Sequence, residues 1–173
     1  TRTVIAHAHF RIGFEAAAGT FALLSDPAGK LVRVVVGVDA LDPLPALAAL
    51  PHSLPQARYH LAAESVLADP LLAALGWALG AYQFSRYRQP RRAPAQLLVS
   101  TTELQQLAPL VEATCRVRDL VNTPTEDMGP EQLADAIRQL GKIHAAKVRE
   151  WVGDDLLKAN FPTIHAVGRA SHR

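Results

Sequence analysis

Residues that could bind a metal ion are few in this chain of 173 residues. His7 and His9 lie two positions apart, and on a strand that spacing puts both imidazoles on one face, where they can chelate. No neighbouring carboxylate or third histidine completes a ligand set, so we interpret them as a chance pair on an N-terminal edge. The carboxylate pairs Glu126-Asp127 and Asp154-Asp155 are typical of helix N-termini, where each charge contributes up to about 1 kcal/mol.

Signatures of the common catalytic sites are absent from the sequence. It contains no His-Glu-x-x-His zinc motif, no Cys-x-x-Cys, no Gly-x-Ser-x-Gly elbow and no P-loop. The single Cys115 cannot form an internal disulfide, which fits a reducing compartment. We interpret it as a small buried apolar residue. We therefore assign no catalytic, cofactor-binding or metal-ligating residue to this chain.

A basic cluster is the second candidate for chemistry. Four arginines fall within seven residues and lie beside three aromatic side chains, a combination that can contact phosphates and stack on bases. The alternative is a solvated helix C-terminus, where the helix dipole stabilises cations. The formal charge of +2 is too small to indicate nucleic-acid binding, and no further stripe of basic residues supports such binding. The cluster consists of Arg86, Arg88, Arg91 and Arg92, beside Tyr82, Phe84 and Tyr87.

Composition predicts a folded, cytoplasmic protein. Apolar residues make up 49% of the chain and charged residues 20%, enough for a real core and too few charges for disorder. The longest apolar run, residues 70–82, is shorter than the roughly 20 residues that span a bilayer. The N-terminus has no apolar stretch of signal-peptide length, so we expect no membrane partner.

Strand patterns dominate the first hundred residues. Residues 20–25 and 31–38 flank turn residues at 26–29 and predict a hairpin, and we expect at most one short helix between the prolines of residues 42–55. Further strands are expected at 58–61 and 96–100.

Asp69 is expected to cap a helix with Pro70 at its first position. The apolar face of the helix is Leu72, Leu75, Leu79 and Tyr82, and Gly76 and Gly80 are expected to let it lie close on the sheet.

Helix signals dominate the last seventy residues. Thr102 and Gln105 predict a capping box for a helix that Pro109 should kink or split and that ends at residues 122–124. The expected inner face of that helix is Leu104, Leu107, Val111 and Cys115. A second helix is expected to begin at residues 128–130 and to end at Gly141. Residues 146–152 have a strand pattern, and residues 153–155 open a short last helix.

Strands that alternate with helices predict an α/β fold. We expect a layered α/β domain with a mixed sheet over residues 1–100. A connecting helix and the opening helix–strand segment of an incomplete domain should follow over residues 101–173. One helix and one strand cannot bury both of their apolar faces. We therefore expect the missing partners to lie beyond Arg173 or on another chain.

Four segments occur in an order that resembles the leucyl aminopeptidase (cytosol aminopeptidase) family. They are residues 118–124 (Arg-Asp-Leu-Val-Asn-Thr-Pro), 128–130 (Met-Gly-Pro), 152–156 (Val-Gly-Asp-Asp-Leu) and 164–171 (Ile-His-Ala-Val-Gly-Arg-Ala-Ser). The resemblance covers residues 116–171 best. The first hundred residues look like the variable N-terminal domain of such enzymes.

The resemblance implies a metalloprotease, a hydrolase that removes N-terminal residues from peptides with two divalent metal ions, manganese, zinc or magnesium. It also implies a cytoplasmic hexamer, and some members of the family bind DNA. The family's ligands lie in a Gly-Lys-Gly…Phe-Asp-x-Gly-Gly stretch and an Asn-Thr-Asp-Ala-Glu-Gly-Arg stretch, and neither stretch occurs here. We therefore expect a segment truncated before its metal-binding motifs, inactive alone and without bound cofactor.

Three functions remain open from the sequence. The first is the N-terminal part of such an aminopeptidase. The second is a stand-alone binding or regulatory module, which could bind DNA through the arginines of the basic cluster. The third is a scaffold subunit that completes its sheet on a partner and buries Phe161, Ile164 and Val167.

Overall fold

The computed structural model of the chain describes residues 2–7, 14–39 and 42–170. It divides into two compact units, which we call unit 1 (Thr1–Asp119) and unit 2 (Leu120–Arg173). Among the described residues, no helix combines the length and the apolar character that crossing a membrane requires.

The centre of unit 1 is a mixed five-stranded sheet in the order β2-β3-β1-β4-β5. Strand β1 is parallel to β3 and β4, β4 is parallel to β5, and only β2 is antiparallel to its neighbour. The α/β class with a mixed sheet is thus confirmed. Because β1 lies between β3 and β4, the expectation of an N-terminal edge is wrong. The strands are Arg2–His7 (β1), Phe21–Ser25 (β2), Leu31–Gly37 (β3), Arg58–Leu61 (β4) and Gln96–Leu97 (β5).

The β2–β3 hairpin forms as predicted, because its turn satisfies its own backbone groups. The Asp26 carboxylate accepts hydrogen bonds from the N–H groups of Ala28 (3.0 Å) and Lys30 (2.9 Å). Gly29 has φ +79°, a conformation that glycine adopts without steric cost. The hairpin register ends in an irregularity between Leu24 and Ser25.

The core of unit 1 lies between the sheet and three helices. Val4 is opposite Val34 in the β1–β3 register, and both are fully buried. Trp77 lies 5.9 Å from the Tyr59 ring, and its indole N–H donates to the Ala95 carbonyl at 3.2 Å. The buried cluster also contains Val36, Leu47, Leu50 and Leu54.

The three helices of this layer are α1 (Pro43–Ala46), α2 (Leu50–Ser53) and α3 (Pro70–Gly80). Two four-residue helices therefore occupy the proline-rich segment, where we expected at most one. The predicted start of α3 is confirmed, since the Asp69 carboxylate accepts from the Leu72 N–H at 2.9 Å.

The buried face of α3 differs from the predicted leucine face. Leu72, Leu75 and Leu79 are only half-buried. The buried positions are Ala73, Ala74, Gly76 and Trp77. The physical reason is the close approach of another backbone. A Cβ at Gly76 would overlap the Leu44 carbonyl, and one at Gly80 would overlap the Ala48 carbonyl. The two glycines therefore let α3 lie close to α1 and the turn after it, and not to the sheet as expected.

Helix α4 (Thr101–Asn122) is continuous through Pro109, so the predicted split does not occur. Its capping box is also displaced from the predicted position. The Ser100 hydroxyl accepts from the Glu103 N–H at 3.2 Å, and the Glu103 carboxylate accepts from the Ser100 N–H at 2.7 Å. On its expected inner face only Leu107 is buried, and Leu104 is 54% exposed.

Unit 2 consists of the end of α4 followed by α5 (Pro130–Ile143), α6 (Asp155–Lys158) and α7 (Pro162–Gly168). Helix α5 continues two residues beyond Gly141, the predicted end. Gly141 is buried, and a Cβ there would overlap the Val148 side chain.

The predicted strand at residues 146–152 is not present. The Arg138 guanidinium instead donates to the Glu150 carboxylate from Nε at 3.0 Å and from Nη2 at 3.2 Å. These hydrogen bonds lower the pKa of Glu150. The segment is therefore held to α5 by side chains, and the described part of unit 2 offers no strand with which its backbone could pair.

Apolar side chains of unit 2 remain exposed, as the lone helix–strand pattern predicted. Ile143 is 63% exposed, Val152 70% and Val167 76%. Large apolar side chains at least 38% exposed also include Leu133, Ile137, Leu140, Val148, Trp151, Leu157, Phe161 and Ile164. Within the described residues, unit 2 thus lacks a closed core. The expectation that missing partners cover these apolar faces stays a prediction.

Gly76→Ala should lower the free energy of unfolding by about 1–3 kcal/mol, because the added methyl group forces α3 away from the Leu44 carbonyl. Urea unfolding followed by circular dichroism measures the effect. Gly168→Ala is the matched control, since a Cβ there meets nothing within 4 Å. Equal stability of Gly76→Ala and the parent chain would contradict the close approach.

Ser100→Ala should cost about 1 kcal/mol by removing the α4 cap, whereas Thr102→Ala should change stability by less than about 0.5 kcal/mol. The Ser100 hydroxyl, and then the Ser100 backbone N–H, lower the pKa of Glu103. A lowered folded pKa adds stability above the unfolded pKa, and this contribution is lost as pH falls through the folded pKa. Ser100→Ala should therefore raise the Glu103 pKa in an NMR titration. An unchanged pKa, or a larger loss of stability for Thr102→Ala, would contradict the cap at Ser100 and favour the predicted one at Thr102.

Candidate functional site

The described part of the chain holds no group of three or more His, Cys, Asp or Glu side chains that could bind a metal ion. His9 and the His7 side chain lie outside the described residues, so the histidine pair is not tested. Asp154 contacts His165 at 3.2 Å, and Asp155 accepts from Lys158 at 2.6 Å. This second carboxylate pair is thus engaged by side chains of α6 and α7, and Asp155 lies in the first turn of α6 as expected.

The basic cluster lies on the irregular segment that connects α3 to β5. The Gln83 side-chain N–H donates to the Arg92 carbonyl at 2.9 Å and closes residues 83–92 into a loop. The Arg92 guanidinium donates to the His52 carbonyl and attaches this loop to the end of α2. We call residues 83–92 the basic loop. Its ends are fixed by hydrogen bonds, although its arginines are exposed.

The arginines of the basic loop have different surroundings. Arg86 lies over the Tyr87 ring at 5.6 Å, and Tyr87 contacts Phe84 edge-on at 5.8 Å. Arg92 is used in the attachment to α2. Arg88 and Arg91 instead border an open depression of about 310 Å³. We call it the loop depression, and its lining is Gln83, Phe84, Arg88, Gln89, Pro90 and Arg91.

A contact that sequence reasoning missed joins the ends of α3 and α4. The Arg118 guanidinium donates to the Leu79 carbonyl at 2.6 Å and lies over the Tyr82 ring at 5.4 Å. The Tyr82 hydroxyl in turn donates to the Asp119 carboxylate at 2.7 Å. The helix dipole further stabilises a cation that lies at the last carbonyls of a helix. Arg118 and Asp119 therefore position α4 against α3 within unit 1.

Only a faint sequence signal pointed to this contact. Arg118 and Asp119 belong to the segment that resembles a known family, and Tyr82 lies on the predicted apolar face of α3. The pairing depends on the path that the chain takes between α3 and α4. The periodicity of residues within one helix carries no information on that path.

Two family models match the chain. The model described as "M17 aminopeptidase, N-terminal domain" matches residues 6–100. The model described as "Cytosol aminopeptidase family, catalytic domain" matches residues 115–173.

Curated relatives match over part of their length. A probable cytosol aminopeptidase of Rhodococcus opacus (strain B4) is 32% identical over 117 residues, which covers 58% of this chain and 23% of the relative. Peptidase B of Yersinia pestis (strain Pestoides F) is 43% identical over 75 residues, 42% of this chain and 17% of the relative. The chain thus spans about a quarter or less of the length of these relatives.

Solved structures match almost the whole chain. The cytosol aminopeptidase of Coxiella burnetii aligns with a TM-score of 0.87 and 29% identity over 99% of this chain and 42% of its own. The bottromycin maturation enzyme BotP aligns with a TM-score of 0.79 and 26% identity over 99% and 43%. A second structure of BotP, in complex with Mn, aligns over 82% of this chain and 36% of its own, with a TM-score of 0.62 and 28% identity.

Arg118→Gln should lower the free energy of unfolding by about 1–3 kcal/mol, because the Leu79 carbonyl loses a charged donor and Tyr82 loses its cation. Arg116→Gln is the matched control on the same helix, since Arg116 makes no hydrogen bond or ion pair with the described residues. Chemical denaturation compares the two variants. Equal effects of both substitutions would show that the contact contributes nothing specific.

Proposed function

The chain belongs to the M17 cytosol aminopeptidase family, and we propose on this premise that it is the N-terminal part of a two-metal leucyl aminopeptidase. In this proposal the complete enzyme is a hydrolase that removes N-terminal residues from peptides. The observation that carries it is the alignment of 99% of this chain on the Coxiella burnetii cytosol aminopeptidase.

We propose residues 1–100 as the N-terminal domain and residues 101–173 as the connecting helix and the start of the peptidase domain. The two family models support this division, since one matches residues 6–100 and the other residues 115–173. Two features of the structure agree with the second assignment. Helix α4 runs unbroken between the two regions, and unit 2 exposes the apolar faces that a larger domain would cover.

The donor groups of residues 2–7, 14–39 and 42–170 do not fit a site for two divalent metal ions. The described residues contain no suitable cluster of three ligands, and Asp154 and Asp155 contact His165 and Lys158. We therefore propose that the metal ions, manganese, zinc or magnesium, bind to a part of the enzyme outside these 173 residues. The Mn complex of BotP, a structural relative, supports a metal-dependent chemistry. No catalytic step is assigned to residues of this chain.

The cytoplasmic location and the hexamer are proposals of the same kind. The names of the relatives, which are cytosol aminopeptidases, support the location. The hexamer rests on the family resemblance of the sequence alone. DNA binding by a stand-alone module has no support, because only two of the four arginines border the loop depression and the relatives named above are described as peptidases or maturation enzymes.

The 173-residue chain should show no hydrolysis of leucine 7-amido-4-methylcoumarin when it is supplied with manganese. The reason is that neither ligand stretch of the family occurs in its sequence. A fluorescence assay measures the release of the coumarin, and a longer form that contains both stretches should be active under the same conditions. Turnover by the 173-residue chain that stops on chelation and returns with manganese would overturn the proposal.

A further inference from the structure

We propose that the loop depression binds an acidic segment of a polypeptide, with Arg88 and Arg91 as the groups that recognise its carboxylates. The depression lies entirely within unit 1. The proposal therefore goes beyond the proposed peptidase activity and does not require it.

The depression is formed by a segment whose charged side chains are all positive. Residues 70–102 contain four arginines and neither aspartate nor glutamate. Arg88 and Arg91 are exposed and form no hydrogen bond or ion pair with any residue that the structure describes. Each guanidinium thus keeps its five N–H donors, whose planar arrangement matches the two oxygens of a carboxylate. An anion that settles here meets two available donors.

The floor of the depression suits a peptide. Phe84 and Pro90 supply half-buried apolar surface, and Gln83 and Gln89 add amide groups that can bond to a peptide backbone. The Gln83–Arg92 hydrogen bond and the attachment to His52 hold the ends of the basic loop before any ligand arrives. Less ordering of the loop is then required on binding, which favours affinity.

The geometry favours an acidic peptide over nucleic acid or an enclosed small molecule. Arg86 lies over Tyr87, and Tyr82 bonds to Asp119, so these groups are engaged within the protein. Two remaining arginines are few beside the roughly 6–10 phosphate contacts that give strong, salt-dependent binding to DNA. The depression is open, whereas pockets for small ligands bury about 70–90% of the ligand surface. A polymer with closely spaced carboxylates can lie across it.

Fluorescence anisotropy of a labelled hexaglutamate peptide with the full chain, at low ionic strength where screening is weak, tests the proposal. Arg88→Gln/Arg91→Gln should weaken binding at least about tenfold, because two charge-assisted contacts are lost. The matched control is Arg58→Gln/Arg149→Gln, which removes the same charge from exposed positions outside the basic loop. Circular dichroism establishes that both variants retain the fold.

Binding of hexaglutamate that is lost in the loop variant and kept in the control variant supports the proposal. Equal weakening in both variants would mean that net charge alone attracts the peptide, and it would overturn the site. Absence of binding to the parent chain would do the same. Tighter loop-dependent binding of a seven-nucleotide oligothymidylate, which carries a comparable charge, would replace the peptide by nucleic acid. None of these outcomes bears on peptidase activity, which is measured separately on a longer form.

Discussion

The close approach of α3 to the backbone at Leu44 and Ala48 is the constraint on which unit 1 depends. Only glycine permits it, and it occurs at Gly76 and Gly80, one helical turn apart. With α3 at this depth, Trp77 reaches both the Tyr59 ring and the Ala95 carbonyl. The helix layer and the sheet are thereby joined through one side chain, so a displacement of α3 would disturb the core on both sides.

The Arg118 contact extends this arrangement to α4. A guanidinium on the carbonyl end of α3 combines a short hydrogen bond, the helix dipole and an aromatic face. The Lys158–Asp155 pair of unit 2 is exposed, and pairs of that kind contribute little to stability. Arg118 and Asp119 begin the segment that most resembles the aminopeptidases. In this structure the role visible for them is to position helices.

Features with local chemistry were predictable from the sequence. The carboxylates of Asp26 and Asp69 accept hydrogen bonds from N–H groups a few residues away, so the hairpin turn and the start of α3 were both predicted correctly. Features that depend on distant partners were not. The strand pattern at residues 146–152 found no neighbouring strand, and Glu150 paired with Arg138 instead. The leucine face of α3 gave way to alanine and glycine because a backbone approaches there. That the chain carries no catalytic group rests on missing motifs and stays a prediction, whereas the Arg118–Tyr82 contact required the folded chain.

The exposed apolar surface of unit 2 has a consequence for biosynthesis. As this stretch leaves the ribosome, its isoleucine, valine and phenylalanine side chains present the kind of surface that chaperones hold and that promotes aggregation. The tendency to aggregate persists for as long as that surface stays uncovered. The amount of folded protein in a cell then depends on how quickly this apolar surface becomes covered after synthesis. Copies in which it stays exposed become substrates for proteolytic quality control.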